Sequence, residues 1–396
     1  MPRQSTMRSD QPVVDSLAVL GRVLIWMIGV ASLTLIMASG AATRLDNTFY
    51  DLHMHHWSYR TGDAVVIVAI DAKSLSRLGN WPWPRAVHAR LLDRLTDAGV
   101  RGVGIDITMA EPDINHPEND RALAQAIRRN GHVAMPVFAE AAELGGTLEE
   151  MLPTQEIASE ASAFGHVDAA KDDDGVIRGA YLKAGLGRPY WPALALVVYD
   201  MDRETQKPVL PSLHRPDTDT ESPYQWMRDD YVLLHFAGPA GSFDQVSYVD
   251  VLEGHVSPEL LKGRWVFVGA TASGLGDLLD TSASGGDERM PGVEYQANLL
   301  ESVENASTLT PLNFTSQFVV GAALLTLPLL LYGLPGFRQM WTIALVALLA
   351  CFGTSVALLR MVGWWWPPLS CVIVMAVGLG VFSALRKFRD RHNASR

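Results

Sequence analysis

Cysteine is nearly absent. The 396 residues hold two, Cys351 and Cys371, both inside long apolar runs near the carboxyl end. Residues 46–315 therefore contain no disulfide, and an exported domain of that size without one suits a bacterial envelope better than an animal cell surface. The short signatures of common enzymes are missing as well. There is no G-x-x-x-x-G-K-[ST] loop, no G-x-S-x-G elbow and no H-E-x-x-H, so no catalytic residue, metal or cofactor is assigned and an enzyme is not expected. Asp, Glu, Lys and Arg are missing from 23–43, 318–337, 340–359 and 361–385. Transporters and pumps place ionisable groups in such runs, which disfavours transport.

A basic surplus is lacking from the middle of the chain. Residues 46–315 carry 21 Lys and Arg against 40 Asp and Glu, while the whole protein stands at −11. So acidic a face repels phosphate backbones and anionic headgroups, and nucleic acid is not an expected partner of it. Plain solubility also accounts for the charge.

What the chain does have is four uncharged apolar runs. At roughly 1.5 Å per residue each is long enough for a hydrocarbon core about 30 Å thick, so four transmembrane helices are predicted at 23–43, 318–337, 340–359 and 361–385. Pro328 is a candidate kink. Gly40 and Ala42 raise the alternative of a cleaved signal peptide, but the first run is longer than a usual signal core and 22 residues precede it, which favours an uncleaved anchor. The leader 1–22 has Arg3, Arg8 and Arg22, and the tail 386–396 has Arg386, Lys387, Arg389, Arg391 and Arg396 against Asp390. Positive charge stays inside, so both ends are predicted cytoplasmic, with 45–315 outside a bacterial inner membrane. Arg338 then falls in an inner turn. Arg360, in an outer turn, opposes this orientation, and Trp364, Trp365 and Trp366 suit the outer interface.

The outer segment alternates buried-strand runs with helical stretches. VVIVAID (65–71), a helix over 85–98, VRGVGIDI (100–107), a helix from Asp120 to Ile127 and HVAMPVF (132–138) form a β-α-β-α-β series. Strand, acidic turn and strand follow over 165–182, then a helix over 190–200, a polar loop over 203–223, strands over 231–237 and 264–270, and a helix over 292–303. The fold class is α/β, a mainly parallel sheet flanked by helices, plus the four spans.

The segments VVIVAIDAKSLSRLGNWPWPRAVHARLLDRLTDAGVRGVGIDITMAEPD, DDDGVIRGAYL, HFAGPAGSFDQVSYVDVLEG, LKGRWVFVGATASGLGDLLDT and MPGVEYQANLLESV resemble the type-two CHASE domain over roughly residues 46–310. The resemblance implies an extracytoplasmic sensor of bacterial receptors, set between one amino-terminal helix and usually three later ones, and working as a homodimer. It also implies a cytoplasmic cyclase or kinase effector, which would be a separate partner or follow Arg396. Gln296 stands where that family usually has a histidine.

Asp71 and Asp106 end strands expected to be adjacent, with Glu111 and Asp113 close behind. Thr271 and Asp277 follow the 264–270 strand. Carboxyl ends of parallel strands are where such sheets bind ligands, so these groups are candidates for a small polar ligand or a cation; caps of helices and turns are their structural alternative. Trp81, Trp83 and Arg85 form either an aromatic wall for a ligand or partner, or simple packing. Asp172, Asp173, Asp174 and Gly175 resemble part of a calcium loop without its remaining ligands. His53, His55 and His56 lack the spacing that completes a zinc site. Two further functions compete with sensing: a membrane assembly factor that holds another envelope protein, and an enzyme using Asp71 and Asp106 on a cation.

Overall fold

The computed structural model describes residues 11–141, 146–201, 210, 212–213, 222–284, 288–332 and 339–394. They form two compact units, Tyr50–Thr310 and the segments up to Phe49 and from Pro311 onward. Most of the polar loop at 203–223 lies outside the described residues, as do Arg3, Arg8, Arg338 and the side chains of Arg386, Lys387 and Arg389.

The chain begins with α1 (Gln11–Ser39) and α2 (Thr43–His55). The first βαβ series follows as β1 (Val65–Ile70), α3 (Ala72–Leu78), α4 (Arg85–Ala98), β2 (Gly102–Asp106), α5 (Pro117–Asn130) and β3 (Val133–Ala141). Local chemistry sets its boundaries. The Asp71 side chain caps α3, Pro84 precedes α4, and Gly99 and Gly131, at φ 70° and 75°, close α4 and α5 in the left-handed conformation that glycine adopts without cost.

Next come β4 (Leu148–Met151), α6 (Gln155–Ala158), β5 (Ala163–His166), β6 (Gly179–Leu186), β7 (Trp191–Pro192), α7 (Leu194–Asp200) and β8 (Trp226–Leu233). The unit ends with β9 (Gln245–Ser247), α8 (Tyr248–Glu253), β10 (Trp265–Ala270), β11 (Leu278–Leu279), β12 (Met290–Pro291) and α9 (Gly292–Glu304). Six strands run parallel in the order β5, β3, β2, β10, β1, β9, and β4 adds an antiparallel pairing at the far end of β3. A separate antiparallel sheet has the order β7, β6, β8.

The central strands β1, β2 and β10 are buried on both faces, and the side chains of the sheet divide by parity. Val65, Ile67 and Ala69 enter one core with Trp265, Phe267, α7, α9 and the smaller sheet. Val66, Val68 and Ile70 enter the other with α4, α5 and Tyr248. The mainly parallel sheet flanked by helices is thus present.

Several expectations need correction. β1 and β2 are not adjacent, because β10, some 160 residues downstream of β2, pairs with both. The helix expected from Tyr190 starts at Leu194, since Trp191 and Pro192 pair with Ala184 and Lys183. The strand expected at 231–237 begins earlier, at Trp226, where its register with β6 starts at Leu186. Helices α3 and α8 are too short to show a period in sequence.

The second unit also contains α10 (Phe314–Leu331), α11 (Met340–Val362) and α12 (Leu369–Ala394). Among the described residues three helical stretches, Leu20–Ser39, Phe314–Leu331 and Trp341–Val362, are long and apolar enough to cross a membrane. The fourth expected span is shorter. Gly363, at φ 76°, ends α11 and the Pro367-Pro368 pair delays the next helix, so the apolar part of α12 is Leu369–Ala384, about 24 Å of helix rather than a full 361–385 run.

Candidate functional site

The register of the parallel sheet brings three of the expected residues to its carboxyl edge. Ile70 pairs with Ala270, so Asp71 and Thr271 leave β1 and β10 side by side; Gly269 pairs with Asp106, which ends β2. Asp71 is occupied in holding the fold. It accepts bonds from the Ser74 backbone N–H (2.8 Å), the Ser74 hydroxyl (2.7 Å) and the Ser247 hydroxyl (2.9 Å). Burial pulls its pKa up, but these donors outweigh it and hold the carboxyl below its usual range.

Asp106 is different. It lies against the start of α9, and a Cβ placed on Gly292 would stand 3.7 Å from its Oδ2. The Gly292 N–H donates to the Asp277 carbonyl at 3.0 Å, which puts the Asp277 segment at the same corner. Gly269 makes the room: a Cβ there would sit 2.7 Å from Val293 and 3.3 Å from the Asp106 Cβ. Among the described residues nothing hydrogen-bonds the Asp106 carboxylate. Burial, and next the Asp277 charge, push its pKa up to about 6. Thr271 is half-buried, its N–H bonded to the Ile70 carbonyl, and Asp277 is exposed.

A stability consequence follows. Between about pH 4 and pH 6 the folded state keeps a proton that the unfolded chain has released, so stability falls as pH rises through that window. The loss is about 1–3 kcal/mol for a partly exposed group. Asp106→Asn should be about 1–2 kcal/mol more stable than the parent at pH 7.5 and should flatten the slope between pH 4 and 6. Thermal melts of both proteins across that range check this, and parallel pH slopes would refute it.

The Trp81, Trp83 and Arg85 turn is built into the fold. Trp83 is buried, donates its indole N–H to the Gly79 carbonyl at 3.1 Å and packs on Tyr248 at 4.9 Å between ring centres; Trp81 meets it edge to face at 5.1 Å. The Tyr248 hydroxyl and His88 Nδ1 are 2.8 Å apart beneath them. Arg85 pairs with buried Asp120 at 2.9 Å and also donates to the Glu111 carbonyl. Asp113 caps the approach to α5, accepting from the His116 N–H at 3.0 Å and from Asn119 at 2.9 Å. The Glu111 side chain is exposed. These residues fasten the loop beside the sheet edge and do not converge with Asp106.

Sequence reasoning missed three polar clusters. Arg178, 3% exposed, spends its five N–H groups on Asp51 (2.8 and 2.7 Å), Asp172 (2.8 Å) and Asp174 (2.9 and 2.8 Å). The acidic turn is thus an arginine clamp. The alternation DDDGVIR was the visible signal, while the Asp51 partner 127 residues away was not. Glu294, fully buried, accepts from the backbone N–H groups of Gly241 (2.9 Å) and Ser242 (3.0 Å) and so ties α9 to the GPAGS loop. His166, buried at the end of β5, lies near the Asp168–Arg228 ion pair, and burial holds its pKa down to about 4. Gln296 accepts from the Ala195 N–H of α7 at 3.3 Å. His55 and His56 meet edge to face with ring centres 5.2 Å apart, and among the described residues no group of three His, Cys, Asp or Glu could hold a metal ion.

An α/β unit with a polar carboxyl-edge corner is carried in one chain with apolar helices long enough to cross a membrane. The chain belongs to the CHASE2 domain family, whose profile matches residues 24–334. That family comprises sensory extracellular domains of signalling receptors. No curated protein and no solved structure matches the chain.

Proposed function

We propose that this protein is a membrane-bound sensory input module, which detects an extracytoplasmic stimulus at the Asp106 corner and passes a conformational signal to a cytoplasmic cyclase or kinase. The effector acts in trans or follows Arg396 in a longer chain, and the receptor works as a homodimer. Four crossings with both termini cytoplasmic fit the positive charge of leader and tail. The observation that carries the reading is the Asp106 carboxylate, left without a hydrogen bond among the described residues at the start of α9, its pKa pushed up to about 6. Folding alone does not favour such a group, and carboxylates held at a cost concentrate at functional sites.

A cationic or hydrogen-bond-donating ligand would relieve the Asp106–Asp277 repulsion and change how α9 packs at its first turn. From α9 the chain runs on within ten residues to α10, so a preference of the ligand for one α9 position biases a membrane helix. Full-length protein in lipid nanodiscs at pH 7.5 should be screened by thermal melting against magnesium, calcium, small amines, polyamines and amino acids. A ligand at 100 times its Kd should add about 2.7 kcal/mol, several degrees, and Asp106→Asn should abolish the gain. No shift with the whole panel, together with stoichiometric capture of one envelope protein, would replace sensing by an assembly role.

A further inference from the structure

The only two cysteines of the chain, 20 residues apart, meet inside the helical unit. Cys351 Sγ on α11 lies 3.8 Å from Cys371 Sγ and 3.7 Å from Met375 Sδ, both on α12. Cys371 and Met375 are four residues apart and so share one helix face. All three are buried, at 0, 1 and 4% exposure. The thiols are too far apart for a disulfide, whose sulfurs stand about 2.05 Å apart.

The spacing has another meaning. A metal roughly 2.3 Å from each of several sulfurs sets those sulfurs about 3.8 Å apart in tetrahedral and about 4.0 Å in trigonal geometry. The two sulfur–sulfur separations fall at that scale with no movement of the helices. Two thiols and a thioether are soft donors, which select Cu(I) over magnesium, calcium or manganese. Coordination number narrows the choice further: a closed zinc site takes four protein ligands, and three sulfurs meet here.

We propose that Cys351, Cys371 and Met375 form a binding site for one Cu(I) ion. On binding, the Cys351 and Cys371 S–H bonds break, two Cu–S bonds form and both protons leave to solvent; no electron is transferred. Met375 completes the set as a neutral thioether donor. The Cys371 thiol is oriented by the Gly321 carbonyl of α10, 3.6 Å away. A small cavity of about 10 Å³, near the room one water centre needs, reaches Cys371 and has Gln317 and Ser370 in its wall. The bound ion would clip α11 to α12.

The test uses the full chain in nanodiscs, reduced and anaerobic, with Cu(I) supplied through ascorbate and withdrawn by the chelator bathocuproine. The expected result is one Cu(I) per chain, with X-ray absorption showing sulfur neighbours alone near 2.3 Å. Cys351→Ser and Cys371→Ser should each weaken retention at least tenfold, and the near-isosteric Met375→Leu should weaken it severalfold with an unchanged melting temperature without metal. Silver(I), which is redox-inert, should bind with the same stoichiometry. Retention that survives both serine variants, or nitrogen and oxygen neighbours in the absorption spectrum, would overturn the proposal. So would absence of retained metal, including the case in which copper merely oxidises the pair to a disulfide.

Discussion

Arg178→Met is expected to lower the melting temperature of the full-length protein by about 6–12 °C at pH 7.5. Arg178 is buried and all five of its N–H groups bond to three carboxylates, a bidentate pair with Asp51 and further bonds to Asp172 and Asp174. Breaking a buried ion pair from one side typically costs 3–5 kcal/mol, because the remaining charges lose their counterion. Here the acids keep 27–29% of their side-chain surface in water, so recovery of hydration brings the loss to about 3 kcal/mol. Each kcal/mol moves the midpoint about 2–4 °C in a unit of this size. Arg178→Lys should recover only part of the loss, since one ammonium cannot reproduce the planar fork. Calorimetry of both variants at pH 7.5 checks these statements, and a shift under 2 °C would mean that the clamp is not structural.

Gly165→Ala is expected to be comparably damaging for a steric reason. A Cβ at residue 165 would stand 2.5 Å from the Leu194 Cα and 2.7 Å from its backbone nitrogen. β5 and the first turn of α7 therefore touch main chain to main chain. A flexible side chain could swing away from an added methyl group, but backbone held by the His166–Ala193 bridge cannot move without pulling α7 off the sheet. Overpacking usually costs 1–3 kcal/mol, and this site sits at the upper end, about 3 kcal/mol. Because the obstacle is backbone, shortening Leu194 to alanine should not rescue the variant. A double mutant that regains the parent melting temperature would show that the contact is between side chains after all.

The two sites also show what kind of information local sequence carries. VVIVAID, GVGID and RWVFVGA were readable as buried strands because runs of β-branched residues bounded by turn residues have few other uses. The helices over 85–98 and 292–303 were readable from period and length. The Asp106 corner was only half readable. Asp71 and Asp106 were recognised as strand ends, yet their neighbourhood was wrong: β10 lies between their strands, which moves Asp71 to Ser247 and Asp106 to Asp277 and Gly292. Trp83 and Arg85 were visible as unusual residues. Their roles, an indole bonded to Gly79 and a guanidinium paired with Asp120, depended on partners whose position no local pattern encodes.

By itself, then, the sequence determined the uncharged apolar runs, the alternation of strands and helices and the strongly acidic middle segment, all of which depend on residues within one or two turns of each other. Tertiary structure alone decided the sheet order, the pairing of Arg178 with Asp51, the isolation of the Asp106 carboxylate and the meeting of Cys351 with Cys371 and Met375. The physical reason is that these contacts join segments far apart in the chain. Strand pairing and helix packing choose among many local patterns that are equally compatible with the sequence, and the choice is made by the burial of whole faces rather than by any single residue.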